Sequence, residues 1–290
     1  MTQYIANSPL TDLYMNSPVL NITRLQHHSI ESTSKSYRIT TPHTSYAAKM
    51  VIDTRPQARL QSILFQSFYG VELTIPLSQQ TRVISLMNNM RTDHSGFRFN
   101  YILPLRPDRI LFEHTRFSKT PVSQEQLMRE CQAEIDRLNI DSTRVIRSEF
   151  GVLPMGLKKI KKSEVIQGGA TQGALRDATG YGFLRIHQWA DQLSKQIISG
   201  HDVKSINTIY PVLNIQRSLD FIFLNTLSAE PQISPDVFMS MARGLDGETF
   251  ARFMSDAASF IDLMKVITSM PTRPFLKSLL HSQEKVPDPL

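Results

Sequence analysis

Apolar and polar residues alternate with a period of two through much of the first half of the chain and recur at helical spacing later. The alternation is strongest between residues 68 and 118. Val71, Leu73 and Ile75 form one face, and Phe97, Phe99 and Tyr101 form another. Ile102-Leu103-Pro104 and Ile110-Leu111-Phe112 follow. Turn-forming residues at Asp93-His94-Ser95-Gly96 and Arg106-Pro107-Asp108 divide this stretch, which predicts three or more strands of a sheet. Upstream, residues 1–50 are rich in Ser, Thr, Tyr and Asn. The short stretches Val19-Leu20-Asn21-Ile22-Thr23 and Ser36-Tyr37-Arg38-Ile39-Thr40 predict strands joined by polar turns. Met50-Val51-Ile52, ending in Asp53-Thr54-Arg55-Pro56, predicts a buried strand that delivers a polar loop. Pro56 biases Arg55 toward extended backbone, because the proline ring clashes with a helical predecessor.

The helical signals come later. Ser123 with Gln126 three residues on is a capping-box pattern, and Leu127, Cys131, Ile135 and Leu138 then recur on one face to about Asn139. A second helix is expected from Gly180 to Ser199, with Gly200 as its stop. Beyond residue 212 the pattern is mostly helical: Ser234-Pro235 opens one helix, Gly244 closes it, and Pro271 ends a later one. Strands first, one returning helix, then a helical C-terminal third make an α+β chain.

Composition narrows the class. The chain has 290 residues, 41% hydrophobic and 20% charged, enough for a sizeable core. A net charge of +6 and a pI near 9.4 favour anionic partners without choosing among them. The single cysteine, Cys131, excludes an intramolecular disulfide and a cysteine-rich metal site, which points to a reducing, cytoplasmic compartment. Its place in the apolar stripe reads as core. No basic segment followed by an apolar run opens the sequence, and no 18 uninterrupted apolar residues occur, so any membrane association is expected to be peripheral. The basic run Lys158-Lys159-Ile160-Lys161-Lys162 lacks interleaved aromatics and reads as a solvated loop, so no nucleic acid is expected as partner. His27-His28 reads as a surface pair, and no metal-ligand spacing is present.

Four segments could carry chemistry. They are Ile52-Asp53-Thr54-Arg55-Pro56; Ile110-Leu111-Phe112-Glu113-His114-Thr115-Arg116-Phe117-Ser118; Arg147-Ser148-Glu149-Phe150-Gly151-Val152-Leu153-Pro154-Met155; and Gly168-Gly169-Ala170-Thr171, continuing through Arg176 to Ala178-Thr179-Gly180-Tyr181-Gly182-Phe183. Each alone has an ordinary explanation. Asp53 and Arg55 can form a loop ion pair, Glu113 and His114 can alternate on an edge strand, and the glycines can sit in tight turns.

In this order, the four segments resemble the lycopene cyclase family, flavoproteins that close β-ionone rings on lycopene. Gln66-Ser67-Phe68-Tyr69-Gly70 with the strand after it, and the stretch from Ser218-Leu219-Asp220 to Phe275-Leu276, extend the similarity over about residues 45–280. The resemblance implies a partial FAD-binding, Rossmann-like domain interleaved with a β-sheet substrate domain and a helical C-terminal region. Residues 1–56 and 146–200 would belong to the flavin domain, 57–145 to the substrate domain and 201–290 to the helical region.

The resemblance further implies FAD in its reduced form, with NAD(P)H as reductant, and lycopene or another acyclic carotenoid as substrate. Asp53, Arg55, Gly168, Gly169, Thr179, Gly180 and Tyr181 would line the cofactor. Ring closure begins with protonation of a terminal double bond and needs no net redox change. Glu113 is the first choice for the acid and Glu149 the second, with His114 as a proton relay where many members have another acid. A further departure is Asn88-Asn89-Met90-Arg91, where an amide replaces the family's acid. The family's first strand, glycine-rich turn and helix have no counterpart in the sequence as given, nor does its ribose-holding acid. A late-starting gene model, a truncated reading frame, loss of flavin, or another chain supplying that segment are the alternatives.

Three other readings remain. The chain is a non-catalytic remnant that binds carotenoid or membrane, or it is a related isoprenoid reductase sharing the cofactor loops. In addition, Phe253, Phe260, Leu263, Met264 and Ile267, with Lys265, Arg273 and Lys277, form an interfacial helix or a core-facing one.

Overall fold

The computed structural model describes residues 8–25, 37–55, 61–80, 82–141, 144–157, 163, 165–169, 173–200 and 214–281. The doublet His27-His28, the basic run 158–162, Pro56 and Ala170-Thr171 lie outside the described residues. The chain forms two compact units. One comprises residues 1–54, 162–168 and 192–208; the other comprises 55–161, 169–191 and 209–290.

In the first unit, β1 (Asn21–Arg24), β2 (Tyr37–Thr40) and β3 (Ser45–Ala48) form an antiparallel sheet in that order. Ile39 of β2 pairs with Ile22 on one side and Tyr46 on the other. The strands expected at Val19–Thr23 and Ser36–Thr40 are thus present with slightly shifted ends. β4 (Ile52–Asp53) runs parallel to β10 (Ile166–Gln167). The expectation of a buried strand at Met50-Val51-Ile52 needs correction. The strand is only two residues long and has one neighbour, and Ile52 is 45% exposed. A short apolar run predicts burial only when strands flank it and helices cover both faces.

The second unit is built on a five-stranded antiparallel sheet of β5 (Ser62–Thr74), β6 (Ser85–Asp93), β7 (Gly96–Arg106), β8 (Arg109–Ser118) and β9 (Arg144–Leu157), in the order β6-β7-β8-β5-β9. The turns His94-Ser95 and Pro107-Asp108 join β6 to β7 and β7 to β8, where turn chemistry placed them. Gly96 has φ +123°, and a Cβ there would lie 2.2 Å from the Phe117 carbonyl oxygen, so only glycine fits. The segment Gln66–Gly70 lies inside β5 rather than ahead of a strand. β9 runs through the boundary that the sequence suggests at residue 145.

Alternation sends each strand's apolar residues to two cores. On one face Val71, Leu73 and Phe112 pack under α1 (Gln124–Arg137), against Leu127, Cys131 and Ile135. Ser123 caps α1 by accepting from the Gln126 amide, but the Gln126 side chain donates to Glu130, so only half of the capping box forms. Cys131 is 1% exposed, and burial pushes its thiol up to about 12. It should therefore resist a thiol reagent such as DTNB in the native state and react fully in denaturant. Rapid native labelling would contradict its place in the core.

On the other face Leu64, Phe97, Phe99, Phe117 and Met155 meet α3 (Asn214–Ala229) and α4 (Ser234–Gly244) through Phe223, Leu224 and Val237. Phe238 of α4 stacks on Phe97 with ring centroids 5.4 Å apart. In chain order α2 (Phe183–Ile198) precedes α3 and is followed by Gly200 at φ +73°. The remaining helices are α5 (Gly247–Met254), capped by Asp246, α6 (Phe260–Ser269), opened by a Ser259–Asp262 capping box, and α7 (Thr272–His281).

The apolar residues read as one C-terminal stripe divide among these elements. Phe253 and Leu263 are buried, whereas Phe260 and Met264 are exposed. Neither a single interfacial helix nor a wholly core-facing one describes them. Among the described residues no helix is long and apolar enough to cross a membrane.

Candidate active site: two glutamates across a strand glycine

Directly opposed residues of an antiparallel pair point to the same face of a sheet. Gly70 of β5 is opposed by Glu113 of β8 on one side and by Glu149 of β9 on the other, and Tyr101 of β7 opposes Glu113. The four therefore form one row, Tyr101–Glu113–Gly70–Glu149. Two interstrand spacings separate the glutamate Cα atoms by about 10 Å. The Glu149 side chain lies close over Gly70: a Cβ there would come within 3.1 Å of Glu149 Cγ, 3.4 Å of its Oε1 and 3.5 Å of Leu111 Cδ1. Glycine weakens a strand interior, so its presence mid-strand marks a place where something must approach closely.

The two carboxyls have different surroundings. Burial pushes Glu113 up to about 7, a hydrogen bond from Thr115 Oγ1 (3.1 Å) opposes the rise, and the Glu149 charge adds to it. Glu113 makes no ion pair among the described residues. Its neighbour Tyr101 is also raised to about 12, by burial and then by the Glu113 charge. Glu149 instead accepts from Arg147 Nη1 at 2.7 Å, while Arg147 Nε reaches Glu72 at 2.9 Å and Arg109 joins Glu72 at 3.3 Å. A carboxylic acid whose pKa is raised toward neutrality has the property a general acid needs.

His114 is not brought to this pair. Adjacent strand residues face opposite ways, and His114 points beneath α1, 1% exposed. There Nδ1 lies 2.7 Å from Asn100 Oδ1 and Nε2 lies 3.0 Å from Glu130 Oε2. Glu130 also accepts from Arg116, itself paired with Asp93. β8 is the middle strand, not an edge, and that explains why its inward polar residues need so complete a network.

The segment that the sequence suggests for a cofactor is divided. In the first unit the Gly168 amide donates to the Asp53 carbonyl at 3.0 Å, bringing those two residues together. Arg55 is exposed at the start of the second unit. Also in the second unit, Gly169 and Gly180 have φ +88° and +68°. The Arg176 carbonyl accepts from the Thr179 and Gly180 amides, and the Arg176 amide donates to the Tyr181 carbonyl, closing a tight turn. Gly180 packs on the sheet: a Cβ there would lie 3.0 Å from Gln66 Oε1 and 3.2 Å from Leu153 Cδ1. Gln66 and Gly70 share a face of β5, four residues or ~13 Å apart. Thr179, Gly180 and Tyr181 are therefore carried over the same sheet face as Glu113 and Glu149. Tyr181 is 43% exposed.

A buried arginine holds that turn. Arg176 is fully buried and binds Asp220 of α3 through Nε and Nη2, both at 3.1 Å. Nη1 donates to the Phe253 carbonyl, and the guanidinium lies 4.0 Å from the Phe253 ring centroid. Beside the turn, Leu219, Phe223, Met241, Phe253, Val266 and Met270 line an apolar cavity of about 260 Å³ that Thr179 borders. No group of three or more His, Cys, Asp or Glu side chains is placed to hold a metal among the described residues.

Residues 13–280 match the family model described as lycopene cyclase protein. The chain belongs to the lycopene cyclase family. It is 25% identical over 244 residues to lycopene beta-cyclase of Pantoea ananas, covering 80% of this chain and 64% of that protein. To lycopene beta-cyclase of Pseudescherichia vulneris it is 23% identical, covering 77% of this chain and 61% of the other. The chain thus spans less than two thirds of the length of these relatives. Among solved structures it aligns with a geranylgeranyl bacteriochlorophyll reductase-like protein from Thermoplasma acidophilum. That alignment has a TM-score of 0.46 and 13% identity, and covers 91% of this chain and 69% of the other.

Within this lycopene cyclase family member, sequence reasoning singled out Glu113 and Glu149 but not the residues that relate them. Gly70 stood in the sequence only as the end of a segment ahead of a strand; its place inside β5 came from the fold. Arg147 stands two residues before Glu149, on the same strand face, and that spacing was its signal. The Arg176–Asp220 pair had no local signal.

Proposed function

We propose that this chain carries the ring-closing site of a lycopene β-cyclase, acting in carotenoid biosynthesis as a non-redox isomerase. The observation that supports it best is the Glu113–Gly70–Glu149 row, with Glu113 raised to about 7. Glu113 gives its proton to a terminal double bond of an acyclic carotenoid. The π electrons of that bond form the new C–H bond and leave a tertiary cation. A second double bond supplies the electrons of the ring C–C bond, and a neighbouring carbon then loses a proton to a carboxylate, restoring a double bond. Atoms and electrons balance within the substrate, and the product is an isomer.

For the cofactor, the residues present suit one end only. The Gly180 turn, with Gln66 Oε1 buried beside it and without a hydrogen-bond partner among the described residues, supports a close-approach edge for the FAD ring. No G-x-G-x-x-G occurs in the sequence for the pyrophosphate. When bound, reduced FAD, regenerated by NAD(P)H, supplies electron density that stabilises a neighbouring cation. Of the residues that the family resemblance assigns to it, Arg55, Gly169, Thr179, Gly180 and Tyr181 belong to the second unit, and Asp53 and Gly168 to the first.

Contact with a membrane surface, where an apolar polyene resides, is supported by Phe260, Ile261 and Met264, all exposed on α6, and by the apolar cavity. The test is a pigment chromatogram from lycopene-accumulating bacteria expressing this chain. Expected are γ- or β-carotene peaks. Unchanged lycopene with the protein present in the extract would overturn the catalytic reading in favour of a non-catalytic family member.

A further inference from the structure

Where β8 ends, a cleft of about 680 Å³ lies among the β6–β7 turn, the segment 118–123, the first turn of α1 and the junction of α3 with α4. That volume suits a drug-sized molecule. Its apolar wall includes Leu64, Phe97 and Leu227, all buried. Phe117, in the same wall, stands four residues or ~13 Å along β8 from Glu113, so the cleft is separate from the glutamate row.

Several donors of this cleft lack acceptors. Ser234 is fully buried, and its hydroxyl has no hydrogen-bond partner among the described residues. A buried side chain that lines a cleft belongs to its floor, where an unmet donor costs stability unless a bound group takes it. Ser123 Oγ accepts the Gln126 amide and keeps its own proton for another acceptor. Lys119 and His94 are exposed on the rim, and no Asp or Glu lines the cleft. The carboxylates nearest in sequence are held elsewhere, Asp93 by Arg116 and Glu230 by Lys277. The N-termini of α1 and α4 and the C-terminus of α3 all border the cleft, so their dipoles largely offset one another and the side chains decide. Unmatched donors, one of them a cation, beside an apolar wall match an oxyanion carried on an apolar body. A phosphate monoester supplies more acceptor oxygens and more charge than a carboxylate does.

We propose that this cleft binds an amphiphilic phosphate monoester, its phosphate meeting the unmatched donors and its hydrocarbon the apolar wall. The site is independent of the ring-closing reading.

The test is calorimetric titration of the full chain with octyl phosphate, inorganic phosphate and octanoate, the amphiphiles below their micellar concentrations. Octyl phosphate should saturate one site, and the other two should bind about tenfold more weakly or less. Lys119→Met should weaken octyl phosphate by roughly tenfold, the scale of one charge-assisted hydrogen bond. Ser234→Ala should weaken it by about threefold or more. It should also leave the urea midpoint of the free protein unchanged or raised, because the hydroxyl removed bonds to nothing there. Sedimentation with vesicles of phosphatidylcholine and phosphatidic acid separates two sources of the phosphate. Vesicle binding that both variants weaken names a lipid headgroup, and any other result beside octyl phosphate binding names a soluble ester. No saturable binding of octyl phosphate would overturn the proposal, as would octanoate binding equally well or an affinity that neither variant changes. So would a Ser234→Ala protein that loses stability and keeps its affinity, since its hydroxyl would then be structural.

Discussion

Glu113→Gln should abolish ring formation in any active form of the protein, by roughly 10²-fold or more, while leaving the fold intact. Glutamine keeps an oxygen for the Thr115 hydroxyl and nearly the same volume, so only the ionisable proton is lost. A stability signature accompanies the loss of activity. The carboxyl of Glu113 rises from 4.5 to about 7 on folding, so between those values the folded state binds more protons than the unfolded one. Its contribution is fully present below about pH 4.5 and is lost as pH rises through about 7, on the order of 3 kcal/mol in all.

Urea melts of the unmodified protein should therefore weaken across that window, and Glu113→Gln should flatten the slope and be the more stable form at pH 8. Activity should fall in the same direction, because only the protonated acid can donate. A Glu113→Gln protein that still forms rings would remove Glu113 from the donor role. An unchanged pH slope would show that burial does not hold its proton.

Replacing Arg176 should have the largest effect on stability. Arg176→Met leaves Asp220 buried without its cation, a loss of about 3–5 kcal/mol. The same change removes the donor to the Phe253 carbonyl and the cation over its ring, detaching α5 from the turn. Adding Asp220→Leu should recover part of the loss, since two apolar residues of similar volume cost less than one orphaned charge. If the single variant cost under about 1 kcal/mol in urea melts, the pair would not be the anchor described here. Asp177, raised by burial and then by the Asp220 charge, should rise further when Arg176 is absent. Because the Arg176 side chain ties the turn carrying Thr179, Gly180 and Tyr181 to α3 and α5, any flavin bound there should be retained less well, although the backbone bonds that close the turn remain.

These two sites differ in how far local pattern could reach them. Strand alternation and turn residues placed β5, β7 and β8, and the cap at Ser123 with the Leu127–Cys131–Ile135 stripe placed α1. Ser234-Pro235 and Gly244 bounded α4 at both ends. Such signals are local: a backbone period, a cap or a fixed φ acts within a few residues and needs no distant partner. The ordered segments around Glu113, Glu149 and Thr179-Gly180 likewise pointed to the cyclase family, which the match over residues 13–280 shows.

What the sequence by itself determined, then, was the elements just named and the family; it offered the two glutamates as candidates. Tertiary structure alone decided their relation. Strand register set Glu113 and Glu149 on either side of Gly70, and sheet order made β8 a middle strand with His114 locked under α1. Burial also depended on neighbours. Ile52 is exposed because its ladder has one partner, and the apolar residues from Phe253 to Ile267 divide between α5 and α6, some buried and some exposed. Arg176 and Asp220 meet across 44 residues of chain, and Arg147 bridges to Glu72 across 75. Charge pairing and desolvation depend on distances between residues far apart in the chain, and only folding sets those distances.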